Sequence, residues 1–441
     1  MTLALPLLAT LVLGCGQETA TPEPTRTVAA WPQWRGPLGT GFAPDATPPL
    51  TWSEDENVRW RTPLPGKGHS TPVLTQGLLF LTAALPVGEQ VDPRPESAPG
   101  WHDNLRVTQR HGYVALAVEA DTGEIAWQRQ VAERFPPEGG HVSGSYASAS
   151  PVTDGERLYA SFGSVGVFCF DLNGALLWER AIPPLATKHG HGEGSSPTLH
   201  GDTLFVNSDH EGESLLLALD TLTGEERWRV ARDEVTSWAS PIVVELSSGP
   251  QLVVSGTRAI RGYDPADGSV IWRCSGMANN VVATPVFGDG HLFAGSSYEK
   301  QALLALRLEG ARGPLDRSDH VAWYERRTGP YVPSPLLYDD ALYVLNHYQG
   351  FLSRFSAPTG ERARQAVRLS GIRDVYASPL GAADRIYIVD RSGETVVLSH
   401  EAEPRILARN RLDDSFSACP VAVGPDLFLR GEDYLYCLRE E

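Results

Sequence analysis

From Trp31 onward the chain alternates short apolar runs with turn residues at close spacing. A small residue and a proline open one apolar run, a Gly- or Asp-containing turn follows, and the next run alternates aromatic and apolar positions. Period-two runs punctuated by Gly and Pro predict strands joined by tight turns, and helical periodicity is sustained nowhere. The prolines of this step are Pro72, Pro151, Pro197, Pro241, Pro285, Pro335, Pro379 and Pro420, with gaps of 79, 46, 44, 44, 50, 44 and 41 residues. A period near 44 is the length of a four-stranded propeller blade, so eight steps predict eight blades. The long first gap holds an insertion, about Pro86 to Gln109, containing Trp101 and His102. It is expected to be an irregular loop able to fold over one face of the disc.

The second half of each unit is sharper. Blade 1 runs Ala117 to Trp127 through Glu119 and Gly123; blade 2 runs Cys169 to Trp178 through Asp171 and Gly174. Blade 3 runs Ala218 to Trp228 through Asp220 and Gly224; blade 4 runs Gly262 to Trp272 through Asp264 and Gly268. The carboxylate caps turn amides and the Gly takes a positive φ. The small first residue is expected to leave room for a neighbouring indole. Each Trp then lies across a blade boundary, burying about 200 Å². These indoles are read as structural. The pattern decays later: Trp323 follows a stretched turn, Arg364 stands where blade 6 should carry its indole, and blade 7 lacks both Gly and Trp. Blade 8 ends before its outer strand. The segment Asn57 to Pro63, with Trp60, reads as that missing strand, closing the ring and removing a free sheet edge.

This repeat resembles the tryptophan-docking repeat of pyrroloquinoline-quinone (PQQ) dehydrogenases and of the propeller lipoprotein of the outer-membrane barrel-assembly machinery. The chain is most similar to exported PQQ-binding-like (quinoprotein-like) β-propeller repeat proteins. Trp31-Pro-Gln-Trp34-Arg-Gly-Pro37, His191-Gly-Glu193-Gly-Ser-Ser-Pro197 and Tyr331-Val-Pro-Ser-Pro335 also carry that resemblance. It implies an all-β, eight-bladed propeller over residues 31–441.

Composition narrows the function. The net charge is −17, from 54 acidic and 37 basic residues, with no basic stripe. Such a surface argues against nucleic acid as a partner. The five cysteines, Cys15, Cys169, Cys274, Cys419 and Cys437, form no C-x-x-C and no adjacent pair. Neither a redox motif nor a zinc site is signalled, and four of them read as buried unreactive thiols. Met1 to Leu13 is almost wholly apolar, too short to span a bilayer but suited to a signal peptide. Val12-Leu13-Gly14-Cys15 resembles a lipobox, although no Lys or Arg precedes it. We therefore expect residues 1–15 to be a signal peptide with lipidation at Cys15 and residues 16–30 to be a flexible tether. The protein would be exported to the periplasm or outer membrane, touching membrane only through its lipid.

Residues just before the eight prolines converge on one face near the axis. The candidate ligand-binding residues are His69, His141, Tyr146, His189, His191, Glu193, Trp238, Asn279, Asn280, Tyr331 and Tyr376. Aromatics, imidazoles and amides around an axial funnel suit a ligand held by stacking and a few hydrogen bonds. The equally plain reading is a solvated channel mouth. His189-Gly-His191 with Glu193 resembles metal-ligand spacing, but without a placed third ligand no metal site is assigned. In PQQ dehydrogenases adjacent cysteines sandwich the quinone, and none exist here; neither does a G-x-S-x-G elbow. The expectation is a monomeric extracytoplasmic binding or scaffold propeller for an envelope protein, peptide or saccharide, without catalytic residues, metal or PQQ. The alternative is a PQQ-dependent oxidoreductase.

Overall fold

The computed structural model describes residues 31–95, 98–346, 350–364 and 366–440, besides Met1. Cys15 and the tether lie outside these. The fold is an eight-bladed β-propeller built from antiparallel sheets, with two short 3₁₀ turns among the described residues. No helix among the described residues is long and apolar enough to cross a membrane.

Every innermost strand begins directly after one of the eight prolines, from Val73 in blade 1 to Val421 in blade 8. Proline has no N–H to give a ladder, so a strand start is where it fits. The residue before each proline is Ser, Thr or, once, Cys. These residues form a closed circle around the axis. Thr71 N–H donates to Ser150 Oγ (2.9 Å), Ser150 to Ser196 (2.9 Å), and Ser196 to Ser240 (2.9 Å). Ser240 donates to Thr284 (2.8 Å), Thr284 to Ser334 (2.9 Å), and Ser334 to Ser378 (2.9 Å). Ser378 donates to Cys419 Sγ (3.1 Å), and Cys419 N–H returns to Thr71 Oγ1 (3.0 Å). Each blade thereby satisfies an amide of its neighbour, at about 1 kcal/mol net per bond.

Farther out, the indoles fasten the blades. Trp60, Trp127, Trp178, Trp228 and Trp323 each donate Nε1–H to a backbone carbonyl of the next blade's turn, at 2.8–3.0 Å. The turn glycine is what each ring lies upon. A Cβ on Gly123, Gly174, Gly224, Gly268 or Gly360 would come 2.5–2.8 Å from that indole. These glycines serve twice, since all five have φ between 69° and 84°. The room for the neighbouring ring therefore comes from the turn glycine, not from the small residue that opens the motif.

Trp272 corrects the expectation. Its Nε1 donates to Gln251 Oε1 of its own blade, at 2.7 Å, and the ring packs on Gly262 with no exposure. Blade 5 supplies another fastening here: Gly313–Pro314, in its stretched turn, pairs in parallel with Trp272 and Arg273. Blade 6 meets blade 7 through Tyr338 and His400, stacked at 3.8 Å.

Val58–Pro63 forms the outer strand of blade 8, antiparallel to Tyr434–Leu438. The segment before it crosses the axial channel. Trp31 pairs with Leu74 of blade 1, and Pro32 O accepts from Thr153 of blade 2. Gly41 O accepts from Gly381 of blade 7, and Phe42 stacks on Tyr338 of blade 6 at 4.2 Å. Between them the buried Arg35 guanidinium donates to Pro335 O (2.6 Å) and Pro379 O (2.8 Å). Both carbonyls belong to the strand-opening prolines, so one side chain from the crossing segment ties the neighbouring blades 6 and 7.

Candidate functional site

The proline register gives the propeller an axial cavity of about 490 Å³. The residue three positions before each proline lines it in all eight blades: His69, Ser148, Gly194, Trp238, Val282, Val332, Tyr376 and Ser417. The residue one position before adds the hydroxyls of Thr71, Ser150, Ser196, Ser240 and Ser378 and the Cys419 thiol. Backbone geometry thus repeats eight times while side-chain chemistry varies.

Of the candidate residues, His69, His141, His189, His191, Glu193, Trp238, Asn280, Tyr331 and Tyr376 line this cavity. Tyr146 and Asn279 do not. Tyr146, five positions before Pro151, faces a side cavity and meets the His111 ring at 4.7 Å. Asn279, six before Pro285, is exposed and bonds Glu299. Loop positions beyond the third residue are not held by the repeat, so their direction varies.

Three contributors were not legible as site residues. Trp34, from the crossing segment, lines both this cavity and a second of about 320 Å³ beyond it, so its indole separates the two. His102 reaches the wall from the blade 1 insertion, and Tyr298 stacks on Tyr331 at 5.9 Å. Trp34 had a signal, the Trp31-Pro-Gln-Trp34 segment, but nothing local gave its place.

The wall is polar yet almost uncharged. Among the described residues no Lys or Arg lines it; Lys188 and Arg391 stand behind Tyr298 and Tyr376, 5.8 and 5.1 Å from the ring centres. Burial raises the Glu193 carboxyl to about 7, against opposing hydrogen bonds from the Ser164 hydroxyl and amide. Burial, then His141, holds His191 down to about 4, so the ring is neutral at pH 7. His69 is also pushed down, chiefly by burial. Two wall atoms, Asn280 Oδ1 and Ser417 Oγ, are buried with no hydrogen-bond partner among the described residues. Such atoms carry a desolvation cost that a ligand's polar groups can offset. Trp238 is fixed in place, donating Nε1–H to Gly192 O at 2.8 Å.

A family model for "Outer membrane protein assembly factor BamB" matches residues 42–212, 167–361 and 212–441. Among solved structures, BamB from Moraxella catarrhalis superposes with a TM-score of 0.54 at 15% identity, covering 81% of this chain and 99% of that one. Quinohemoprotein alcohol dehydrogenase from Comamonas testosteroni superposes with a TM-score of 0.60 at 9% identity, covering 93% and 80%. At such identities the likeness is one of fold. No curated protein matches the chain in sequence.

Proposed function

The chain belongs to the outer membrane protein assembly factor BamB family, and from that premise we propose that it is an extracytoplasmic recognition propeller whose axial cavity binds a neutral, polar ligand of the cell envelope. The observation carrying this reading is the wall itself. Trp34, Trp238, Tyr298, Tyr331 and Tyr376 offer flat apolar faces, and the hydroxyl circle and the two unpaired buried atoms offer hydrogen bonds. Flat faces plus a few oriented polar groups are what bind uncharged sugars or peptide segments.

Quinone-dependent oxidation, the reading that the dehydrogenase fold raises, fits these residues poorly. The carboxylates of such a quinone need cationic partners, and among the described residues no Lys or Arg lines the cavity. The described cysteines are all free and none is adjacent to another, so no disulfide is available to sandwich the ring.

Native mass spectrometry of protein isolated from its own envelope tests the proposal. A neutral adduct lost from Trp238→Ala is expected, with binding weaker by about 1–3 kcal/mol, the scale of one aromatic anchor. Stoichiometric PQQ with dye-linked alcohol oxidation would overturn it.

A further inference from the structure

Four histidines from three separate loops meet at the rim of the cavity. His102 comes from the blade 1 insertion, His141 from the blade 1–2 connection, and His189 and His191 from the blade 2–3 connection. The loops are locked together by backbone. Asn104 and Leu105 pair with His141 and Gly140, and Asn104 Nδ2 donates to His189 O (2.8 Å) and Gly190 O (2.7 Å). His189 is held at φ 59°, a left-handed conformation that a histidine seldom adopts.

The rings are close. Centroids lie 4.8 Å apart for His102–His189, 4.9 Å for His102–His191 and 5.4 Å for His189–His191. Three imidazoles on one tetrahedral zinc, each bonded at about 2.0–2.1 Å, place their centroids about 5 Å apart.

The tautomers are also set. His102 Nδ1 lies 2.7 Å from Gly100 O, His189 Nδ1 3.2 Å from Pro99 O, and His191 Nε2 3.3 Å from His102 O. A carbonyl only accepts, so each of these nitrogens carries the proton of the neutral ring. The lone pairs then sit on His102 Nε2, His189 Nε2 and His191 Nδ1. Orientation of a ring through its other nitrogen by a carbonyl is the usual outer support of a metal-binding histidine. His141 differs: its Nδ1 accepts the Ser143 amide at 3.2 Å, which puts its proton on Nε2.

We propose that His102, His189 and His191 bind one zinc-class transition-metal dication at the cavity rim, leaving a fourth position open to water or to the cavity's ligand. Among the described residues no three such donors already converge on one point. Binding therefore includes a rotation of the rings about χ2, a soft torsion for imidazole, small enough to keep their carbonyl contacts. His102 is exposed and the other two are half-buried, so the rotation displaces little packing.

The test is calorimetric titration of the full chain with Zn²⁺, alongside Co²⁺ absorption spectra of the wild-type protein. We expect one equivalent bound and an intense tetrahedral Co²⁺ band. His102→Ala, His189→Ala and His191→Ala should each weaken binding at least tenfold, while His291→Ala, elsewhere on the surface, changes it less than twofold. Melting curves of the variants should overlay that of the parent. Substoichiometric binding, an octahedral Co²⁺ spectrum, or losses equal to that of His291→Ala would overturn the proposal. The Co²⁺ spectrum needs no variant, so it decides even if one fails to fold. Neither readout depends on the cavity having an organic ligand.

Discussion

Replacing Ser240 by Ala cuts one link of the hydroxyl circle and no other. Ser196 N–H loses its acceptor, 2.9 Å away, while Ser240 N–H keeps Thr284 Oγ1. Both serines are 5% exposed, so the stranded amide lies where water reaches it poorly. A buried donor left unsatisfied costs about 1–3 kcal/mol, and the methylene and backbone of the site are unchanged. The contrasting variant is Cys419→Ser. It replaces the circle's one sulfur, a weak acceptor, by the oxygen found at the other seven positions. That change should be neutral or stabilise by up to about 1 kcal/mol. Urea unfolding of the two variants and the parent, followed by Trp fluorescence, reads both values; the urea dependence should be unchanged because the exposed area on unfolding is unchanged. If Ser240→Ala costs no more than about 0.5 kcal/mol, the range of an ordinary surface substitution, the circle is not holding the blades together.

Four further outcomes are expected. Trp228→Ala should cost about 3–5 kcal/mol as a docked indole, while Trp238→Ala, a cavity residue, should leave urea stability within about 1 kcal/mol; equal losses would show the assigned register to be wrong. Gly174→Ala should destabilise as severely as Trp127→Ala, because φ is 84° and the new Cβ would lie 2.6 Å from the Trp127 ring; a shift below about 1 kcal/mol in urea unfolding would contradict this. His69 at 3.8 Å and Lys67 at 3.2 Å hold the Glu432 carboxyl down to about 2 from 4.5. The folded value is the lower one, so the stabilisation is full above about pH 4.5 and lost as pH falls toward 2. Solvent exposure reduces its size to about 1 kcal/mol; an acid titration of stability should show that loss in the parent and not in Glu432→Gln. Finally, with Cys15 lipidated, Cys15→Ala should move the protein out of the membrane fraction, and an unchanged fraction would refute the anchor.

The architecture was legible because its causes are local and repeated. Each strand-opening proline and each turn glycine acts within a few residues of itself, so the period alone counts the blades. Trp60 was recognisable as an outer strand because Arg59 to Pro63 carries the same alternation as the segment around Trp127. Trp272 was not, since its inward turn depends on Gly313–Pro314, some forty residues away, reaching into the sheet. Likewise, Arg35 reads as an ordinary surface cation. Only the crossing of residues 31–43 from blades 1 and 2 to blades 6 and 7 makes it a buried tie, with its guanidinium lowered to about 10 by desolvation.

The site divides along the same line. One residue before the proline, side chains are nearly constant and close the circle of hydrogen bonds; three residues before it, they are His, Ser, Gly, Trp, Val, Val, Tyr and Ser, and all face the cavity. A repeat that varied its constant position would lose amide partners in the neighbouring blade, whereas the third position touches mainly the cavity. The first is therefore held by stability and the second is free to be shaped by whatever binds. Tyr146 and Asn279 fell outside because loop positions beyond the third are not fixed by the repeat: Asn280 and His191, also five and six residues before their prolines, do line the cavity. His102 entered because an insertion can reach a rim that the repeat itself leaves open. On the proposed reading, recognition rests on an asymmetric ring of seven side chains and one glycine on a symmetric frame, and exchanging Trp238 with the residue at Val282 should change ligand choice while leaving the frame intact.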